Sequence, residues 1–209
     1  MRWRIGIRQM ANSISEILVR FRTSVLARTG MVLALIVVCL DQLTKWLVLD
    51  RLNFSPTGCL EFQLASFEDK AGMFNTCGHL EISPVFDLTM VWNKGVSFGL
   101  LGADGPLGRY LLVGFSVLVA GFLIAGLLGF GPLAIERKLQ AVSFGLIIGG
   151  ALGNAIDRAI YGAVVDFLNF SDIMFPWVFN VADMAVNLGV ATIILDIVLN
   201  DRKPVSKVK

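Results

Sequence analysis

Charge is what this chain has least of: of 209 residues only 16% are Asp, Glu, Lys or Arg, against 56% hydrophobic, and the mean hydropathy is +0.73. A soluble globule of this length needs more polar surface than that. Six prolines and abundant Phe, Leu, Ile and Val argue equally against a disordered chain. A net charge of +2 gives no basic face dense enough to release many counterions, so nucleic acid is not an expected partner. The only histidine, His79, has no matching Ser or Cys motif for a triad, and neither a zinc-type Cys/His spacing nor an EF-hand loop is present. Internal repeats and low-complexity segments are absent. The first apolar run begins late, carries Asp41 and Lys45 and is followed by no small-residue cleavage site, so it does not read as a cleavable signal peptide.

What is present is four long apolar runs, approximately Met31–Leu49, Tyr110–Phe130, Leu139–Ile156 and Val178–Leu199. Each approaches the roughly 20 residues that a helix needs to cross a hydrocarbon core. A lone strand cannot satisfy its backbone in lipid, and the runs are too long and too few for a barrel. The expected fold is an all-α membrane protein, a bundle of four transmembrane helices. Six Lys and Arg precede span one, two lie between spans two and three, and four follow span four, twelve against five on the other side. That places both termini in the cytoplasm. The domains expected are a basic N-terminal extension (1–30), a four-span domain (31–200) with outer loops 50–109 and 157–177, and a basic cytoplasmic tail (201–209). Ile14, Ile17, Leu18, Phe21 and Val25 recur at helical spacing in the extension, which reads as an interfacial helix, with a frayed tail or a misassigned start as the alternative. In the first outer loop Val85–Trp92 and Val96–Leu101 flank Asn93-Lys94-Gly95 as a strand-turn-strand pattern, and Ala163–Leu168 in the second reads as extended. A small β element on the outer face of the bundle would unite them.

Charged side chains at membrane depth cost roughly 2.5 to 3.5 kcal/mol each on insertion scales, so each invites a functional question. Asp41 and Lys45, four apart on one helical face, either neutralise each other or serve the site. Asp196, near the cytoplasmic end of span four, reads as interfacial. Asp157, Asp166 and Asp183 fall by topology at one boundary of the bundle, the convergence that a proton relay, a metal site or an acid/base pair needs, with metal the weakest of the three. Two aspartates sharing a proton are able to hydrolyse unaided: the ionised one takes a proton from water and the protonated one hydrogen-bonds the scissile carbonyl. Spacing alone leaves a structural polar network, a proton-coupled carrier and a lipid-modifying transferase open. Asn154 and Asn180 also read as helix-end hydrogen bonders and Arg158 as an interfacial anchor or an ion-pair partner of Asp157. Gly149, Gly150 and Gly153 read as helix-packing positions, and Trp92, Trp177 and Tyr161 as belt aromatics.

Four blocks carry a resemblance: Asp41-Gln-Leu-Thr-Lys45, Asn93-Lys-Gly-Val-Ser-Phe98, Gly149-Gly-Ala-Leu-Gly-Asn-Ala-Ile-Asp-Arg158 leading to Val164-Val-Asp-Phe167, and Phe179-Asn-Val-Ala-Asp183. In this order, in a four-span chain, they resemble the lipoprotein signal peptidases (type II signal peptidases) of bacteria. The resemblance covers about Met31 to Asn200. It implies an aspartyl endopeptidase of the inner membrane, without a cofactor, that removes the signal peptide of a prolipoprotein just before its diacylglyceryl-modified cysteine. Asp166 and Asp183 are then the catalytic dyad, and Asp41, Lys45, Asn93, Asn154, Asp157, Arg158 and Asn180 the supporting and substrate-binding shell. The implied partners are lipidated precursors and membrane lipid, and no oligomer is indicated. The N-terminal extension and a first outer loop, about Asn53–Ser83, that is longer than usual depart from the family pattern. Cys59 and Cys77 lie in that loop on the oxidising side and are expected to pair as a disulfide, while Cys39 stays reduced.

Overall fold

The computed structural model describes residues 15–55, 59, 77–94, 106–173 and 175–200. The tail 201–209, the first fourteen residues and the expected strand Val96–Leu101 lie outside the described residues. Residues 15–23 form a short helix, α1. Ser24 breaks it with an extended backbone and caps the next helix by accepting from the Ala27 N–H at 3.1 Å. The Arg20 guanidinium of α1 donates to the Gly129 carbonyl (3.2 Å) and lies 4.2 Å over the Phe130 ring, tying α1 to a distant turn.

Among the described residues four helices are long and apolar enough to cross a membrane. They are α2 (Val25–Trp46, continuing as a π-turn over Leu47–Arg51), α3 (Pro106–Leu127), α4 (Lys138–Tyr161) and α5 (Val181–Asn200). α4 is the central one: 56% of its apolar stretch is buried, against 22 to 28% for the others. Its small residues make this geometry, because a Cβ on Gly145 would stand 2.5 Å from the Gly30 carbonyl of α2 and one on Gly150 2.3 Å from the Ala182 carbonyl of α5. Between the helices Ala34, Ala120, Leu127, Phe144 and Ile148 fill the core, while large side chains such as Phe115 and Leu118 face outward, as a lipid solvent permits. At one end Asp196 is buried rather than interfacial. It receives the Arg137 Nε at 2.9 Å across the start of α4, and that ion pair clamps α4 to α5.

At the other end a four-stranded antiparallel sheet is laid down in the order β1 (His79–Ser83), β2 (Phe86–Asn93), β3 (Val164–Phe170), β4 (Phe175–Phe179). It is larger than the sequence pattern predicts. A hairpin turn at Pro84–Val85, which the sequence pattern did not predict, pairs β2 with β1; the expected turn at Asn93–Gly95 runs out of the described residues. α5 begins at Val181 and not at Val178, because Phe175–Phe179 is a strand, and an apolar run of that length carries no period to tell it from the start of a helix. α4 runs on to Tyr161 and ends on Gly162, whose φ of +83° gives the left-handed cap. Asp157 and Arg158 are therefore helical, where the loop was expected to start at 157. Trp92 is no belt aromatic: it is buried with Val48, Met90, Val165 and Phe167, and its Nε1 donates to Ser55 Oγ at 3.1 Å. The same cluster holds Cys59 and Cys77, joined as a disulfide with Cα atoms 5.3 Å apart. Cys39 is free and faces outward from α2.

Candidate active site

The site is assembled where α4 ends, β3 passes and α5 begins. Val164, Val165 and Phe167 suit a strand buried on both faces, and between them Asp166 is only 1% exposed. β2 bulges between Leu88 and Val91, so that Val91 stands opposite Asp166 and Asn93 opposite Val164. Asn93, at the end of β2, donates Nδ2 to Asp166 Oδ2 at 2.8 Å.

Asn180 is the junction. It caps α5: its Oδ1 accepts from the Asp183 N–H (2.9 Å), while its own N–H donates to Asp183 Oδ2 (3.3 Å), a reciprocal capping box made with Asn and Asp. Its Nδ2 points the other way, to Asp166 Oδ1 at 2.7 Å, Asn154 Oδ1 at 3.0 Å and the Val165 carbonyl at 3.2 Å. Asn154 Nδ2 in turn donates to Asp183 Oδ1 at 2.8 Å. Asp166 and Asp183 are thus bound to the same two-asparagine frame. Burial, and after it the negative charge of Asp183, pushes the Asp166 carboxyl from the ordinary 3.8 up to about 7, against the lowering effect of its Asn93 and Asn180 donors.

Behind this frame lies a buried ionic knot. Lys45 Nζ reaches Asp41 Oδ2 (2.7 Å), Asp157 Oδ2 (2.8 Å) and Asn154 Oδ1 (3.1 Å). Asp41 Oδ1 accepts from the Ala182 N–H at 2.9 Å, in the positive first turn of α5, and Asp157 Oδ2 accepts from the Val165 N–H at 3.0 Å. One carboxylate therefore fixes the start of α5 and the other the entry to β3, the two elements that carry Asp183 and Asp166. The expected Asp41–Lys45 ion pair is present, and through Asp41 it also contacts the first turn of α5. Gln42 was missed in the sequence reading, although its Nε2 donates to Asp157 Oδ1 (3.0 Å), Asp41 Oδ2 (3.2 Å) and the Gly153 carbonyl (3.2 Å). An amide at membrane depth was the signal that should have found it.

Asp183, Asn154 and Arg158 line a cavity of about 770 Å³ whose other walls are mostly apolar, from Phe115 and Val119 of α3, Ile147 of α4, Met184 and Leu188 of α5, and Phe175 and Trp177 of β4. The Arg158 Nε is buried and has no hydrogen-bond partner among the described residues. The nine polar residues that the resemblance assigns to the site meet in one place; Asp196 lies at the other end of the bundle, and Cys59 and Cys77 lie in the cluster under the sheet.

Fold and site together define a polytopic membrane protein with a carboxylate centre opening into an apolar groove at one end of a helical bundle. Residues 33–199 match the family described as signal peptidase (SPase) II, and the chain belongs to that family of membrane proteases. It is 42% identical over 175 residues to the lipoprotein signal peptidase of Caulobacter vibrioides, covering 83% of this chain and 89% of the relative. With the lipoprotein signal peptidase of Rhodopseudomonas palustris (strain ATCC BAA-98 / CGA009) it shares 37% over 175 residues, 81% and 91% of the two chains. Among solved structures, a bacterial membrane enzyme determined by the in meso method at 2.3 Å resolution is similar in fold, with a TM-score of 0.62 at 23% identity over 87% of this chain and 94% of that one.

Proposed function

We propose that this protein is an aspartyl endopeptidase that removes the signal peptide of bacterial prolipoproteins on the N-terminal side of the diacylglyceryl-modified cysteine. The observation that carries the reading is the shared asparagine frame. Of the carboxylates at this end of the bundle, Asp41 and Asp157 share a direct ion pair with Lys45, whereas Asp166 and Asp183 make no ion pair among the described residues and are held by amide donors from Asn93, Asn154 and Asn180. Asp183, at the groove wall, takes a proton from water as the water attacks the scissile carbonyl; Asp166, its carboxyl raised to about 7, acts in its protonated form and donates a hydrogen bond to the developing oxyanion. On collapse that proton passes to the leaving amine. The unpaired Arg158 edge supports a role in holding the substrate backbone, and the apolar groove suits a signal helix arriving through lipid.

The Lys and Arg distribution, twelve against five, supports cytoplasmic termini, which puts the sheet and the dyad at the outer, periplasmic face of the inner membrane. A precursor whose cleavage point lies at that surface meets the dyad without leaving the bilayer. The test is cleavage of a diacylglyceryl-modified precursor and its unlipidated form by wild type, Asp166→Asn and Asp183→Asn. Wild type is expected to cut the lipidated form alone, and each folded variant to lose about 10²–10⁴-fold or more in rate. A variant that keeps near-full activity removes that aspartate from the dyad; a wild type that cuts nothing removes the reading.

A further inference from the structure

The sheet carries a second concentration of carboxylates on the face turned away from Asp166. β3 is regular from Asp166 to Asn169, so these side chains, three apart, point to opposite faces. Asn169 stands opposite Asp87, and Asp87 opposite Glu81. Asn169 Nδ2 donates to Thr89 Oγ1 at 3.0 Å, and the same hydroxyl lies 2.9 Å from His79 Nδ1. His79, Glu81, Asp87, Asn169 and Asp172 line one cavity of about 740 Å³. Like charges directly opposed on neighbouring strands weaken the pairing, and Asp172 adds a third. Asp87 is 6% exposed and its Oδ1 has no donor. Among the described residues none of the three carboxylates has a cationic partner. A carboxylate buried this way is stabilised by a cation that none of the described residues supplies.

We propose that this cavity binds a lysine or arginine side chain of an extended polypeptide. No group of three or more His, Cys, Asp or Glu among the described residues is placed to hold a metal ion, so a diffuse organic cation fits the spread of charge better than a bare one. A phospholipid ammonium brings its phosphate with it, and the same three carboxylates repel that phosphate; a basic side chain carries no such anion. Among the described residues β1 is the edge of the sheet, with Leu80 and Ile82 exposed, and an extended segment lies naturally along such an edge. Resting on the peptidase reading, the segment in question is the part of the precursor that follows the scissile bond.

The full-length protein in phosphatidylcholine nanodiscs is titrated with a serine-lysine tetrapeptide and its serine-norleucine analogue. Saturable binding of the lysine peptide alone is expected, weakened about tenfold or more by Asp87→Asn, the order lost with one charge-assisted hydrogen bond. Glu81→Gln, at an exposed position, is expected to weaken it in the same direction and serves if the Asp87 variant does not fold. Equal binding of the norleucine peptide, or unchanged affinity in both folded variants, overturns the proposal. So does displacement of the lysine peptide by phosphatidylethanolamine added to the discs, which makes the occupant a lipid, or by calcium alone, which makes it a metal. Cleavage is assayed separately: carboxylate-dependent peptide binding by a protein that cuts no precursor leaves the cavity standing and removes the peptidase reading.

Discussion

Asn180 performs three tasks with one side chain: it caps α5, it orients Asp183 through the capping box, and it donates to Asp166. A substitution therefore separates structure from catalysis. Asn180→Ala removes the cap, costing about 0.5–2 kcal/mol, and is expected to lower the cleavage rate far more than that loss of stability explains. Asn180→Asp keeps an N-cap acceptor but places a third carboxylate against Asp166, so it is expected to recover the unfolding midpoint in detergent without recovering cleavage. Recovery of both makes Asn180 a cap and nothing else. The raised Asp166 carboxyl sets a second expectation. Its folded value of about 7 lies above the ordinary 3.8, so the folded protein binds the extra proton between those values. Stability is then full below about pH 4, falls as pH rises toward 7 and is flat above. Wild-type thermal unfolding is expected to follow that slope and Asp166→Asn to lack it, while the wild-type cleavage rate falls as pH rises through about 7. A wild-type profile no steeper than that of the variant contradicts the protonated role. Asp166 and Asp183 stood out in the sequence as costly charges, whereas Asn180 read only as a helix-end hydrogen bonder until the family resemblance gave it a role. Spacing along the chain did not disclose that one asparagine joins both aspartates, since Asp166 and Asn180 are brought together only by the return of β4.

At the scale of elements, the close approach of α4 to the first turn of α5 holds the site in register. A Cβ at Gly150 would stand 2.3 Å from the Ala182 carbonyl, a backbone atom that moves only if α5 moves. Gly150→Ala is expected to cost about 1–3 kcal/mol by overpacking and, because that turn carries Asn180 and Asp183, to cut the cleavage rate about 10²-fold, the order reported for misplacement by an ångström. Gly121→Ala on α3, where a Cβ meets nothing within 4 Å, is the control and is expected to be neutral or stabilising. Assays of both variants at one detergent concentration decide the matter, and equal activity of the two refutes this role for Gly150. The four helices were legible because twenty apolar residues have few other uses; their ends were less so. Span one begins at Val25, six residues before Met31, since Ser24 caps it ahead of the most apolar stretch, and β4 was absorbed into span four because Phe, Trp and Val are common to strands and membrane helices alike. β1 lay in a stretch that read only as a long loop.

For the molecule as a whole, the disulfide and the orientation bear on one another. Cys59 and Cys77 are eighteen residues apart, and closing a loop of that length stabilises by about 3 kcal/mol in the chain-entropy account. The bridge sits in the cluster beneath Trp92 and Phe167, so it anchors the start and end of the long first loop to the sheet that carries Asp166. A disulfide persists only on the oxidising side of the membrane, the side to which the Lys and Arg count assigns this loop. Charge translocation and redox poise are independent physical constraints on this loop, and one measurement reads both. Intact spheroplasts treated with a membrane-impermeant maleimide are expected to leave the protein unlabelled; after an impermeant reductant, two thiols react, assigned by mass spectrometry to Cys59 and Cys77, while Cys39 on the lipid-facing side of α2 stays unmodified. Labelling of Cys59 and Cys77 before reduction removes the bridge, and labelling only in inverted vesicles reverses the topology and moves the dyad to the cytoplasmic face, where it would meet no exported precursor. A Cys59→Ser, Cys77→Ser protein that unfolds several degrees lower yet still cuts places the bridge in stability rather than in catalysis.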